Sequence, residues 1–120
     1  DVTFMDHNWP TNFTRAIDAQ GGNGIAGPKD MLRGCSLMTQ VFIGRGHYNH
    51  FGYLFPPDFH NWWCDNWINR LYERVGQKTC FEDIRIRNGG RKDGAQPRYQ
   101  ACRNIDFSHI LETHITKLRN

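Results

Sequence analysis

Asn66-Trp67-Ile68-Asn69-Arg70-Leu71-Tyr72-Glu73-Arg74-Val75-Gly76, followed by Lys78-Thr79-Cys80-Phe81-Glu82-Asp83-Ile84-Arg85-Ile86-Arg87, decides the fold class. In the first part Trp67, Ile68, Leu71, Tyr72 and Val75 recur at helical spacing, which predicts a helix with one apolar stripe. Gly76 supplies its stop. In the second part Phe81, Ile84 and Ile86 predict a strand with Arg85 and Arg87 on its other face. A stripe with a period near 3.6 gives way to a two-sided strand, the pattern of a helix packed on a sheet.

The same reading extends outward. Upstream, Arg45 to Leu54 reads as a short helix broken before Pro56-Pro57. Ser36 to Ile43 reads as the strongest strand, with Leu37, Thr39, Val41 and Ile43 alternating, and Gly24-Ile25-Ala26-Gly27-Pro28 as a short buried strand. Asn8 and Pro10 open a helix whose apolar positions are Trp9, Phe13, Ala16 and Ile17; Gly21-Gly22 stops it. Val2-Thr3-Phe4-Met5 reads as a first strand. Downstream, Asn88-Gly89-Gly90 turns the chain, and residues 91 to 98 form a polar loop. Asp106 then caps a last helix carrying Phe107, Ile110, Leu111, His114, Ile115 and Leu118. The expected order is β-α-β-β-α-α-β-α in a single α/β domain spanning 1–120, a mixed β-sheet flanked by helices, without repeat or linker.

Composition bounds the function. The 120 residues are 38% hydrophobic and 22% charged, a globular balance. No apolar run approaches the roughly 20 residues of a membrane span. The net charge of +3 is a mild bias, and the basic residues Arg85, Arg87, Arg91, Lys92 and Arg98 read as a solvated face, so no nucleic-acid partner is expected. No phosphate-cradling Gly-rich motif and no Gly-x-Ser-x-Gly occurs, which disfavours those chemistries. Four cysteines, Cys35, Cys64, Cys80 and Cys102, without a Cys-x-x-Cys, fit two disulfides in any of three pairings. With the sequon Asn12-Phe13-Thr14 and a start at Asp1 rather than Met, they lead to the expectation of a processed, secreted or secretory-lumen chain.

Phe59-His60-Asn61-Trp62-Trp63-Cys64-Asp65-Asn66-Trp67 concentrates aromatic rings beside carboxylates and amides. Sugar rings offer C–H faces to aromatic side chains and hydroxyls to fixed polar groups, and ligand sites combine apolar walls with a few placed polar groups. Asp58, His60, Asn61, Trp62, Trp63, Asp65 and Asn66 are therefore the candidate ligand-binding residues, while the spacing of Trp67 assigns it to the core. His47, His50 and His60 lack a metal-ligand spacing, so no metal site is expected. His114 reads as a satisfied core or boundary residue.

The block Asn61-Trp62-Trp63-Cys64-Asp65-Asn66-Trp67, with Leu54-Phe55-Pro56-Pro57, Gly24 to Pro28, Val41-Phe42-Ile43 and the helix–Gly76–strand that follows, resembles the second, acceptor-side half of a GT-A-type glycosyltransferase. The resemblance implies that Asp65 is the general base on an acceptor hydroxyl. It also implies that the nucleotide-binding half and its metal-binding Asp-x-Asp lie before Asp1. His109 is a possible counterpart of the family's C-terminal metal-binding His. The family's acidic pair is Asp65-Asn66 here, leaving one carboxylate. The expectation is a lectin-like, carbohydrate-binding protein on a glycosyltransferase-like fold, needing no cofactor and taking glycans or glycoproteins as partners, with a homo-oligomer to add avidity. The alternative is a glycosyltransferase using a nucleotide sugar and a divalent metal, of which this chain is the acceptor-binding portion with Asp65 catalytic.

Overall fold

The structure is a computed structural model that describes residues 2–59, 63–88 and 105–119. The described elements run β1 (Val2–Phe4), α1 (Trp9–Ala19), β2 (Ile25–Asp30), β3 (Phe42–Ile43), α2 (Arg45–Phe51), α3 (Cys64–Arg74), β4 (Lys78–Asn88) and α4 (Phe107–Arg119). That is the order expected from the sequence. The strands form one mixed sheet, β1-β4-β2-β3. The long β4 lies antiparallel to β1 and parallel to β2, and the short β3 lies antiparallel to β2.

Side-chain alternation on β2 sorts the core into two layers. Ala26 faces Phe13 and Ile17 of α1, together with Ile84 of β4. Ile25 faces the other way, into a larger cluster with Phe51, Trp67, Ile68, Leu71, Tyr72, Leu111 and Ile115 of α2, α3 and α4. One helix therefore covers one face of the sheet and three cover the other. The odd spacing of Phe81 and Ile84, both in the α1 layer, needs a break in the regular alternation of the strand. The ladder supplies it with three unpaired residues, 82–84: Pro28 pairs with Phe81, but Lys29 pairs with Arg85.

The expected strand from Ser36 to Ile43 is a correction. Only Phe42–Ile43 is strand, paired to Ala26 and Ile25. The rest is an irregular loop because its backbone bonds go elsewhere. Asn69 of α3 accepts from the Met38 N–H at 2.9 Å and donates to the Met38 carbonyl at 2.9 Å. Met38, rather than the alternating Leu37, is the buried residue. Gly27 of β2 admits the loop closely, since a Cβ there would stand 2.7 Å from the Gln40 carbonyl oxygen.

Cys35 and Cys80 form a disulfide that staples the β2–β3 connection to β4 across 45 positions of sequence. It is the one disulfide among the described residues; Cys64 has no sulfur partner among them, and Cys102 lies outside them. Expected turn 89–90 and loop 91–98 lie outside them too. Helix ends follow their sequence signals. Gly76 takes φ +74° after α3, and Gly52 takes φ +77° after α2, ending it at Phe51 rather than Leu54. The Asp106 carboxylate accepts from the His109 N–H at 3.1 Å, as a cap of α4 does, whereas Asn8 caps α1 without a side-chain bond.

Candidate functional site

Of the candidate residues, Trp63, Asp65 and Asn66 lie at the start of α3. The chain enters through Trp63, whose φ of +71° makes it the one non-glycine residue with a left-handed backbone among those described. For a bulky side chain that conformation costs about 1–3 kcal/mol and persists only where its surroundings hold it. The Trp63 carbonyl accepts from the Trp67 N–H at 2.8 Å, closing the first helical turn. The Trp63 ring lies 5.2 Å from that of Phe107, the first residue of α4, and Phe107 also stacks on Phe59 at 6.0 Å. The Arg70 guanidinium covers Phe107 at 5.6 Å.

Asp65 stands in this first turn, half-buried. Among the described residues no side chain bonds to its carboxylate. Burial raises its pKa above the usual carboxylate value, the Arg33 charge pulls it back, and the Asp30 charge adds to the rise. Helix starts favour anions, yet desolvation outweighs that preference here. Asn66 is half-buried beside it. The Cys64 thiol is pushed up by burial and by the Asp65 charge, and has no sulfur partner among the described residues.

The remaining candidates fall differently. Asp58 is exposed on the preceding loop, and its charge acts on Tyr53 and His114. His60, Asn61 and Trp62 lie outside the described residues. Trp67 is fully buried, as its spacing predicted, at the centre of a ring cluster with His47, Phe51, Phe55, Phe59 and His114. His114 is a satisfied boundary residue, bonded to both Trp67 and Tyr53. His47 is buried with both ring nitrogens engaged, by the Tyr72 hydroxyl and the Leu54 carbonyl, and burial lowers its pKa. His109 is exposed.

Three residues outside the expected set shape the surroundings of Asp65. Asn69, 1% exposed, lies one turn further along α3. Besides its two bonds to Met38, it donates to the Asp65 carbonyl at 2.8 Å. Asp30, 2% exposed at the end of β2, accepts from Leu32 N–H (2.7 Å), Arg33 N–H (3.0 Å) and the Thr39 hydroxyl (2.6 Å). Burial works against the Asp30 anion, but these donors prevail and hold its pKa below the usual value. They fix the turn carrying Arg33, whose charge reaches Asp65. A signal for Asn69 was present, since it sits inside the apolar stripe between Ile68 and Tyr72 and a polar group there must find partners. Arg33 carries no local signal.

Among the described residues no group of three or more His, Cys, Asp or Glu converges to hold a metal ion, and no helix is long and apolar enough to cross a membrane. A groove of about 410 Å³ runs between α3 and α4, lined by Ser36, Arg70, Glu73, Arg74, Ser108, Leu111 and Glu112. Fold and site together define an α/β domain with a half-buried carboxylate in the first turn of α3, on the side of Asp30 and Arg33, and a ring cluster of Trp63, Phe107 and Phe59 at the same helix start. No family model, curated protein or solved structure matches the chain.

Proposed function

We propose that this chain is a carbohydrate-binding, lectin-like protein whose site is the start of α3, with Asp65 accepting hydrogen bonds from sugar hydroxyls. The observation that carries the reading is the half-buried Asp65 carboxylate, its pKa raised by burial and without a side-chain partner among the described residues. Such a group destabilises the fold unless a ligand uses it. A carboxylate accepts two hydroxyls of one sugar, and the neighbouring Asn66 amide both donates and accepts. Trp63 and Phe107, both half-buried and packed on each other, supply the apolar surface for a sugar's C–H face. The Cys35–Cys80 disulfide is compatible with an extracellular or secretory location, which suits glycan or glycoprotein partners.

One observation favours a second reading, in which the chain is the acceptor-binding portion of a GT-A-type glycosyltransferase. A carboxylate with a raised pKa is a better proton acceptor, and a general base must take the hydroxyl proton as the bond to the donor sugar forms. In that reading a nucleotide sugar and a divalent metal are held by sequence preceding Asp1.

A glycan array probed with the chain in the presence of a chelator tests the first reading. Selective signal that disappears in Asp65→Asn supports it. A blank array, or an unchanged pattern in the variant, refutes it. Sugar transfer by a longer polypeptide that needs both metal and Asp65 supports the second.

A further inference from the structure

We propose that His114 is an acid-sensitive latch: on taking up a proton it releases α4 from α3, and with α4 the Phe107 ring that walls the Trp63 turn. Regarding that wall as part of a binding site rests on the function proposed above; the latch itself does not.

The donor inventory around His114 sets its protonation. The Trp67 indole Nε1–H donates to His114 Nδ1 at 3.1 Å. An indole nitrogen has no acceptor capacity, so Nδ1 must present its lone pair. The ring is therefore neutral, with its proton on Nε2, donated to the Tyr53 hydroxyl oxygen at 2.8 Å. The half-buried ring stands edge-on to Phe51 at 5.4 Å and to Trp67 at 5.2 Å. A proton on Nδ1 would set two N–H groups against each other. Flipping the ring does not help, because both nitrogens of an imidazolium are donors.

The other described histidines of this layer are bonded differently. His47 gives Nε2–H to the Leu54 carbonyl, and its Nδ1 faces the Tyr72 hydroxyl, which can turn to accept. His50 is exposed and gives Nε2–H to the Lys117 carbonyl. The charged and titratable groups facing His114 among the described residues are His47 from α2, Tyr53 and Asp58 from the loop after it, and Lys117 from α4 itself. Trp67 is the polar contact from α3. Burial first, then Lys117 and His47, oppose the added charge, while Asp58 and the Ile110 carbonyl favour it, and the net direction is a lowered pKa. The polar bonds between α4 and its neighbours, Arg74–Glu112, Arg119 to the Arg74 carbonyl and His50 to the Lys117 carbonyl, are exposed and hold little. Burial of Leu111 and Ile115 therefore sets how rarely α4 opens, and His114 sets how that opening varies with pH.

The released form takes the proton and the docked form refuses it. The opening equilibrium therefore shifts toward release by up to tenfold per pH unit below about 6.5, the value of a free histidine. Nuclear magnetic resonance on the 120-residue chain tests this without ligand. The expected results are an Nε2–H tautomer for His114 at pH 7.5 and a Trp67 indole protection factor that falls toward tenfold per pH unit between pH 6.5 and 5. A Trp63–Phe107 ring contact that fades in parallel completes the expectation. His114→Asn keeps an acceptor near the Nδ1 position and cannot titrate, so it loses the slope. An Nδ1–H tautomer, a wild-type slope persisting in His114→Asn, or a Trp63–Phe107 contact that survives loss of indole protection overturns the proposal. If His114→Asn does not fold, the tautomer and the wild-type profile decide. A latch that behaves as stated in a chain that binds no glycan at neutral pH refutes the function above and leaves the latch standing.

Discussion

Replacing Asn69 tests how the β2–β3 loop is joined to the helix that carries Asp65. In Asn69→Leu the side chain keeps its approximate volume and loses all three bonds, at 2.8 to 2.9 Å. The Asp65 carbonyl also lies within reach of the α-helical ladder, so its loss is minor. The Met38 N–H and carbonyl are the losers, since they lie in a region where Met38 and residue 69 are both buried. Each stranded backbone group costs about 1–3 kcal/mol, so the variant loses roughly 2–6 kcal/mol. At about 4 °C per kcal/mol for a domain of this size, Tm falls by about 8–24 °C. Asn69→Asp sharpens the test. Its carboxylate still accepts from Met38 N–H but opposes the carbonyls of Met38 and Asp65 at neutral pH. Protonation restores one donor, so its deficit relative to wild type shrinks as pH falls into the carboxylate range. Thermal and urea unfolding at pH 7 and pH 4.5 measure both effects. An Asn69→Leu within about 0.5 kcal/mol of wild type, or an Asn69→Asp deficit independent of pH, refutes the junction.

Three further outcomes are expected. Removing the disulfide as Cys35→Ser with Cys80→Ser frees a loop spanning 45 positions and costs about 4 kcal/mol on the chain-entropy model, read as a lower urea midpoint; an unchanged midpoint contradicts the staple. Trp67→Ala empties the centre of the larger core layer and lowers stability by about 3–5 kcal/mol, measured by the same unfolding experiment; a small loss shows that the ring is not central. Asp65→Asn raises Tm at pH 7. Its folded pKa lies above the unfolded one, so the folded state binds more protons and stability is lost as pH rises through that window. The gain therefore vanishes below the unfolded value near 3.8, and an unchanged or lower Tm at pH 7 refutes the desolvation of Asp65.

The element order was legible because most segments carry their period and their stop together. The stripe Trp67, Ile68, Leu71 and Tyr72 ending at Gly76 gave α3 and its buried face. The strand from Ser36 to Ile43 misled because alternation reports local preference, whereas a strand also needs a partner for its backbone. Here the Asn69 amide takes both groups of Met38, and no neighbouring sequence shows that bond. The basic alternation of β4 was read correctly as a solvated face, and Arg85 pairs with Asp6 at 3.2 Å. Sequence adjacency put Trp63, Asp65 and Asn66 together, and the structure keeps them at one helix start. It could not reveal that burial would outweigh the helix start in setting the Asp65 pKa, because that balance depends on neighbours such as Arg33 and Asp30, over 30 positions away. Nor could it pair Cys35 with Cys80, since three connectivities fit four cysteines equally well.

The central claim is that the Asp65 carboxylate is held desolvated in order to receive a glycan. Titration of its carboxyl ¹³C signal, with and without a glycan selected on the array, tests that most directly. The account predicts a pKa above 3.8 in the free chain that falls when the glycan's hydroxyls bond to the anion. A pKa at or below 3.8 in the free chain, or one that no array-selected glycan moves, contradicts it.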